Sequence, residues 1–514
     1  MISSQNAAAY FVDRHIAEGR ASKIAFCESS DPGRELTYGD FASRTDQVAG
    51  AFARLGIHRE ERALMIVLDQ IEFPQIFWGA LKAGVVPVPL NTMLVADTYA
   101  AILADSRAAI LFVSEALWPV VAPVTNTTPD LRQVVVICDG PAPEGTIRYA
   151  DFISGAEAIS TVPASEDEVA FWLYSSGSTG APKGVRHVHG ALQATADTYG
   201  AEVLGIREAD RVYSAAKLFF AYGLGNAMTF PLSVGATVIL FDGRPTPDAV
   251  VSILDRQKPT VFCGVPTLYA ATLAHMDRSG KPQAPLRRCI SAGEALPERI
   301  GERWAELWGV DILDGVGSTE MLHIFLSNRL DDTVYGTSGR AVPGYELRLV
   351  DETGDDVVPG QLGELLVRGA SAADGYWNQR RKSRATFEGE WTRTGDKYEL
   401  TEDGRYIYCG RTDDMFKVSG IWVSPFEVEQ TLVAHPAVLE AAVVAAQDED
   451  ALDKPKAFVV LKDSTAPNGL ATELQEFVKD KVGNWKYPRW VEFVPDLPKT
   501  ATGKIQRFKL RDTV

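Results

Sequence analysis

The residues best suited to chemistry stand in one run, Tyr174-Ser-Ser-Gly-Ser-Thr-Gly-Ala-Pro-Lys-Gly184. Hydroxyl side chains on Ser175, Ser176, Ser178 and Thr179 are interleaved with Gly177 and Gly180, and Lys183 follows. Glycines let backbone N–H groups approach an anion closely, the hydroxyls add donors, and the lysine adds a mobile cation. Such a run suits a polyphosphate. It is not the common phosphate loop, which needs glycine directly before Lys and Ser or Thr directly after it; Pro182 and Gly184 hold those places. Taken alone, a run of this composition is a flexible turn. His187 and His189 follow it without a third nearby ligand and are read as structural, and no H-E-x-x-H, paired-cysteine or G-x-S-x-G pattern occurs.

Stepping outward, the apolar residues 169–173 lead into the run as a buried strand, and 186–203 has helix-compatible composition, so a strand–loop–helix junction is expected. Strand-like runs at 63–68, 85–90, 109–113 and 134–138 alternate with helical segments at 41–55 and 73–81, the signature of α/β layers with largely parallel sheets. The series continues with strands near 261–263 and 288–291 and helices at 267–275 and 298–308. After about residue 335 the pattern changes to alternating strands at 345–350 and 362–367 around turn material. The tail, with helices at 426–434 and 473–481 and strands at 441–445 and 457–461, suits a compact α+β domain. The expected fold is therefore α/β: a large N-terminal domain over 1–411, with a β-rich subdomain at about 335–411, and a small C-terminal domain over 412–514.

At 514 residues the chain is too long for one compact core. With 46% hydrophobic and 23% charged residues it is an ordinary globular composition, and a formal charge of -17 argues against general affinity for nucleic acid or anionic membrane. Small-molecule partners are expected, with a monomer or homodimer. Five scattered cysteines form no close pair, which points to a reducing, cytoplasmic compartment. Charges at Asp13, Arg14 and Glu18 exclude a signal peptide. Residues 218–241 carry no charge and are long enough to span a bilayer, yet Gly223, Gly225, Pro231 and Gly235 divide them into a helix, a turn and a strand of a buried core.

Several motifs share one order along the chain: the Tyr174–Gly184 run, Ser291-Ala-Gly-Glu-Ala295, Gly315-Val-Gly-Ser-Thr-Glu320, Thr394-Gly-Asp396, Arg411 and Pro498-Lys-Thr-Ala-Thr-Gly-Lys504-Ile-Gln-Arg507. In this the chain resembles the adenylate-forming superfamily, which includes acyl-CoA synthetases, over nearly its whole length. The resemblance implies ATP, Mg²⁺ and coenzyme A as ligands. It implies phosphate binding by Ser175, Ser176, Gly177, Ser178, Thr179, Gly180 and Lys183, and nucleotide contacts from Gly293, Glu294, Ala295, Asp314, Gly315, Val316 and Gly317. Thr319 would meet the adenylate phosphate and Glu320 would hold the magnesium ion, a hard cation bound by one or two carboxylates along with phosphates. Asp396 and Arg411 would serve the ribose and phosphates. Lys504 would bridge the substrate carboxylate and the α-phosphate and stabilise the charge of the transition state. Asp413 occupies the place of the hinge about which the mobile C-terminal domain turns, exchanging Lys504 for Gly420 at a coenzyme A tunnel. One departure is Val316, where many relatives carry an aromatic residue against adenine; apolar packing is the expected substitute. Read singly, Glu320 is a solvated acid, Asp396 a turn residue and Arg411 a surface cation; their order along the chain is what selects the functional reading.

Lys217-Leu-Phe-Phe-Ala-Tyr-Gly-Leu-Gly-Asn226 and Ser318-Thr-Glu-Met-Leu-His-Ile-Phe325 resemble benzoate-CoA ligases and their hydroxy- and aminobenzoate relatives. The resemblance implies a flat slot for a small aromatic acid, walled by Phe220 and Tyr222, with room left by Ala221 and Gly223 and closed by His323 and Ile324. The implied activity is an AMP-forming aryl-CoA ligase. Its alternatives are a stand-alone adenylation protein that loads a carrier protein, and a non-catalytic nucleotide sensor, which would be expected to have lost Lys183, Glu320, Asp396, Arg411 or Lys504.

Overall fold

The computed structural model of the chain describes residues 5–31, 33–176, 182–418, 421–449, 452–462, 468–499 and 505–511. It divides into two compact units, Met1–Leu347 with Val367–Arg393 and Arg348–Leu366 with Thr394–Val514.

In the first unit the apolar runs form strands buried on both faces, the pattern that parallel sheets require. The largest sheet is nine-stranded, in the order Arg340–Ala341, Ile324–Ser327, Ile312–Gly317, Arg288–Ala292, Val261–Gly264, Arg211–Ser214, Thr237–Leu240, Ile24–Glu28, Glu35–Thr37. Every neighbouring pair from Ile312–Gly317 to Ile24–Glu28 is parallel, and the outer strands are antiparallel. A second, all-parallel sheet orders Val86–Pro89, Arg62–Ile66, Ile110–Ser114, Gln133–Ile137 and Ile147–Arg148. Helices lie between these strands in sequence, and short polar side chains start them. Thr37 accepts from the Asp40 N–H at 3.1 Å to cap Tyr38–Arg54, and Thr246 does the same for Pro247–Gln257, each cap satisfying a backbone donor the helix cannot. Tyr213, Phe262, Tyr269 and Trp304 pack together in one core of the larger sheet, with the Tyr269 and Trp304 rings edge to face at 4.7 Å.

The expected strand–loop–helix junction does not hold. Val169–Ser176 is a strand, but Pro182–Val188 returns beside it as a second strand, antiparallel, with Ser175 opposite Lys183 and Phe171 opposite His187. The helix begins only at His189. Helix-compatible composition is overridden because Val185 and His187 are buried by cross-strand and sheet-face packing, where β-branched residues fit a pleated surface well. Gly375–Tyr376 completes this small sheet, pairing antiparallel with Val185 and Arg186.

The uncharged stretch 218–241 folds as a continuous helical run, Ala221–Leu224, a π-helical Gly225–Thr229 and Phe230–Val234, followed by the strand Thr237–Leu240. Among the described residues no helix is long and apolar enough to cross a membrane.

In the second unit residues 396–400 of the strand Trp391–Leu400 pair antiparallel with Tyr406–Arg411, setting Asp396 opposite Arg411. Further on, Val438–Gln447 and Asp453–Leu461 are antiparallel and Trp490–Phe493 joins them in parallel. The helices Pro425–Val433 and Leu470–Val482 pack on this sheet through Val428, Leu432, Leu474 and Val478. Arg507, close to the chain end, pairs with Glu429 at 2.6 Å and with Asp414 at 3.2 Å, and Arg511 also pairs with Asp414.

Candidate active site

The small three-stranded sheet positions the first cluster. Lys183 opens the Pro182–Val188 strand, Tyr376 stands on the strand beside it, and Glu320 lies in the turn after Ile312–Gly317. The three polar groups converge: Lys183 Nζ donates to Glu320 Oε1 at 2.7 Å and to the Tyr376 hydroxyl at 2.9 Å, and that hydroxyl donates to the same Oε1 at 2.8 Å. The ammonium also lies 4.2 Å from the centre of the Tyr376 ring, a cation–π contact. The backbone fixes the arrangement from outside, with the Ala373 N–H donating to the Glu320 carbonyl at 2.8 Å and the Trp377 N–H to the Gly184 carbonyl at 2.8 Å. Burial works to raise the Glu320 carboxyl, but the Lys183 charge and the bonds from Lys183 and Tyr376 outweigh it and hold the group below the usual carboxylate range. Glu320 is therefore an anion at neutral pH.

Of the hydroxyl-rich run, Ser175 is half-buried at the strand end with its Oγ meeting no hydrogen-bond partner, and the backbone of Ser176 is opposite Pro182. Gly177, Ser178, Thr179 and Gly180 lie outside the described residues, as do Gly420 and Lys504. His187, as expected, is a packed residue: it is fully buried, stacks on Phe171 at 5.0 Å, and burial pushes its pKa down to about 4.

A second group sits at the ends of the adjacent parallel strands Arg288–Ala292 and Ile312–Gly317. Asp314 is buried, in register with Ser291, and its Oδ2 accepts from the Leu296 N–H at 3.3 Å, which ties the Gly293–Glu294–Ala295 loop to the strand. Its other oxygen has no partner, and burial pushes the carboxyl up to about 7. Gly315 and Gly317 are required by close approach: a Cβ on Gly315 would stand 2.8 Å from Ile324 Cγ2, and one on Gly317 would stand 2.5 Å from the His323 carbonyl oxygen. Val316 is half-buried between them, opposite Leu326. Thr319, half-buried, accepts through its carbonyl from the Leu322 N–H at 3.2 Å, closing the turn that presents Glu320.

Of the expected aryl-acid residues, Tyr222 and His323 meet directly. Phe220 precedes the Ala221–Leu224 helix and packs on Phe219 at 4.4 Å. Gly223 has no room for a side chain, since a Cβ would meet the Lys217 carbonyl oxygen at 2.0 Å. The Tyr222 hydroxyl lies 3.0 Å from the Gly264 carbonyl and 3.1 Å from that of Ile290, with both oxygens placed to accept from it. His323 is buried among rings, 4.5 Å from Phe230, 5.2 Å from Tyr199 and 5.7 Å from Tyr222, with Nε2 3.3 Å from the Tyr222 carbonyl. Burial pushes its pKa down to about 3, so it is a neutral imidazole. Ile324 is buried beside it.

In the second unit Asp396 and Arg411 meet directly, Nη1 to Oδ1 at 2.9 Å, and Arg411 also donates to the Thr394 carbonyl at 3.0 Å. Asp413 is exposed in the turn that follows Arg411.

Nothing in the sequence singles out Tyr376 or Tyr199; Gly225 stands out there only as a divider of the uncharged stretch, and Asn226 only as the end of a motif. Tyr376 arrives at Lys183 from far along the chain by strand pairing, which no local pattern announces. Gly225 carried a usable signal, a second glycine two residues after Gly223 in one helix: a Cβ there would stand 2.4 Å from His323 Cδ2.

Comparison with known proteins agrees with this geometry. The family model for AMP-binding enzymes matches residues 13–377, and that for the AMP-binding enzyme C-terminal domain matches 427–504. The chain is 52% identical to a 4-hydroxybenzoate–CoA/benzoate–CoA ligase of Rhodopseudomonas palustris, over 99% of this chain and 94% of that protein. It is 53% identical to a benzoate–CoA ligase of Thauera aromatica, over 98% of this chain and 95% of that protein. Among solved structures, a benzoate CoA ligase from Burkholderia xenovorans LB400 superposes with a TM-score of 0.89 at 50% identity, covering 98% of this chain and 99% of that one.

Proposed function

The chain belongs to the AMP-binding enzyme family, and from that premise we propose that it is an AMP-forming aryl-CoA ligase acting on benzoate or a ring-substituted benzoate. The observation that carries this reading is the Lys183–Glu320–Tyr376 cluster, a charged and largely buried group whose lysine follows a glycine- and hydroxyl-rich run of sequence. In the first half-reaction a carboxylate oxygen of the aromatic acid attacks the α-phosphorus of ATP. The bond from that phosphorus to the bridging oxygen breaks, and pyrophosphate leaves. In the second, the thiolate of coenzyme A attacks the acyl carbon, and AMP departs with the electrons of the acyl–oxygen bond.

Lys183 is the described cation suited to the phosphates. Bound triphosphate competes with Glu320 for its ammonium, and Tyr376 remains as a donor to the carboxylate when the lysine turns away. Glu320, held anionic, fits a magnesium ion, a hard cation that takes one or two carboxylates together with phosphate oxygens; among the described residues no group of three or more His, Cys, Asp and Glu side chains could hold a metal without such oxygens. The ion, when bound, supplies charge neutralisation to the triphosphate. Asp314 and the 293–295 loop line the nucleotide, while Asp396 and Arg411 serve its ribose and phosphates. The neutral His323, Tyr222 and Phe220 form an aromatic seat that excludes water from the activated acyl group. Lys504 stabilises the first transition state, and turning about Asp413 exchanges it for Gly420.

Incubating the protein with Mg-ATP, coenzyme A and benzoate tests the assignment. The expected products are benzoyl-CoA, AMP and pyrophosphate in equal amounts; release of ADP, or no thioester from any aromatic acid, would refute it.

A further inference from the structure

The seat around His323 contains more polar atoms than its packing accounts for. Asn226 is fully buried, and neither Oδ1 nor Nδ2 meets a hydrogen-bond partner. The Tyr199 hydroxyl, also fully buried, and His323 Nδ1 are in the same condition. The Tyr222 phenol interacts with Asn226 and the Ser327 hydroxyl with that of Tyr199, but neither contact reaches hydrogen-bond geometry. Buried polar groups are almost always paired, so several orphans around one imidazole call for an explanation by ligand or role.

Their placement supplies one. Asn226 lies on the π-helical turn Gly225–Thr229, four residues after Tyr222, and Tyr199 lies on a second π-helical segment, Ala196–Val203. Such turns are rare and recur at functional sites, because the wider turn re-aims side chains that a regular helix would present elsewhere. Both segments pack on His323: the Tyr199 ring is 5.2 Å from it, and Gly225, next to Asn226, is held against its edge. An apolar ring substituent would leave all of these groups unpaired. A hydroxyl, which both donates and accepts, matches an amide, a phenol and a neutral imidazole nitrogen.

Resting on the aryl-CoA ligase reading, we infer that Asn226 and Tyr199 are specificity-determining residues that receive a hydrogen-bonding ring substituent, a hydroxyl, of the aromatic acid. A site built to bond a hydroxyl discriminates steeply against its loss, whereas an apolar slot hardly senses its addition.

The test is kcat/KM and equilibrium binding for benzoate, 3-hydroxybenzoate and 4-hydroxybenzoate in the unmodified enzyme, Asn226→Leu and Tyr199→Phe. The ratio of hydroxybenzoate to benzoate kcat/KM is expected to fall at least about tenfold in Asn226→Leu for one of the two isomers, and in the same direction in Tyr199→Phe. Tyr199→Phe removes a single hydroxyl and keeps the ring, so it reports even if Asn226→Leu fails to fold. An unchanged ratio in the folded variants, or rejection of both hydroxybenzoates by the unmodified enzyme, would overturn the inference and leave the groups to a structural role. Absence of thioester from all three acids would overturn the ligase reading, and this inference with it.

Discussion

Lys183 and Tyr376 share one oxygen of Glu320, and a bond to a charged group is worth about 1.5–3 kcal/mol. Tyr376→Phe is therefore expected to lower acid-dependent pyrophosphate release by roughly ten- to a hundredfold, with the ring and its contact to Phe387 retained; an unchanged rate would remove Tyr376 from the site. Asp314 titrates in the opposite sense to Glu320. Its folded pKa is raised to about 7 by burial, so the folded state holds the proton more tightly than the unfolded one. Its contribution to stability is full below the ordinary carboxyl pKa and is lost as pH rises through about 7. Asp314→Asn removes that titration, and its stability relative to the unmodified protein should increase between about pH 4 and 7, by at most about 1.4 kcal/mol for each pH unit, as read by urea denaturation. A constant difference across that range would contradict the assignment. Lys183 and Glu320 were legible in sequence because each sits in a motif with a chemical reason for its residue types. Tyr376, Tyr199 and Asn226 were not, because their meaning lies in partners met, or left unmet, only after folding.

The antiparallel strand pair that carries Lys183 shows where local reading gives way. Residues 186–188 suit a helix by composition, but pairing with 169–173 and with Gly375–Tyr376 makes them a strand, and that pairing is what delivers Tyr376. Many of the parallel strands and their helices were legible, since uniform apolar runs and 3.6-residue periodicity differ clearly, but the strands Arg211–Ser214 and Ile312–Gly317 and the helices Ala96–Ser106 and Pro247–Gln257 were not. The π-helical turns in 196–203 and 225–229 were not, because nothing in residue type separates them from an ordinary helix. In the hairpin that joins Asp396 to Arg411, Gly395 has φ of +71°, and a Cβ there would stand 2.8 Å from Arg411 Nη2. Gly395→Ala is expected to cost about 1–3 kcal/mol of stability from the strained backbone and to displace the Arg411 guanidinium from Asp396. Chemical denaturation and nucleotide binding would register both; unaltered values in both would show that the hairpin tolerates a side chain.

At the scale of the whole molecule, an acidic chain with a formal charge of -17 holds the Lys183 ammonium against Glu320, a cation suited to meeting an anionic nucleotide. The order of motifs was legible along the chain because each half-reaction demands its own residue types. The seat for the ring was legible only in outline, since its polarity depends on which buried groups find partners. In the proposed reaction the acid is activated as an acyl-adenylate before any thiol takes part. Exchange of labelled pyrophosphate into ATP, measured with benzoate or a hydroxybenzoate and no coenzyme A, tests it most directly. Exchange is expected to depend on the aromatic acid and to proceed without the thiol; exchange that requires coenzyme A, or that ignores the acid, would rule out an acyl-adenylate formed ahead of the thiol.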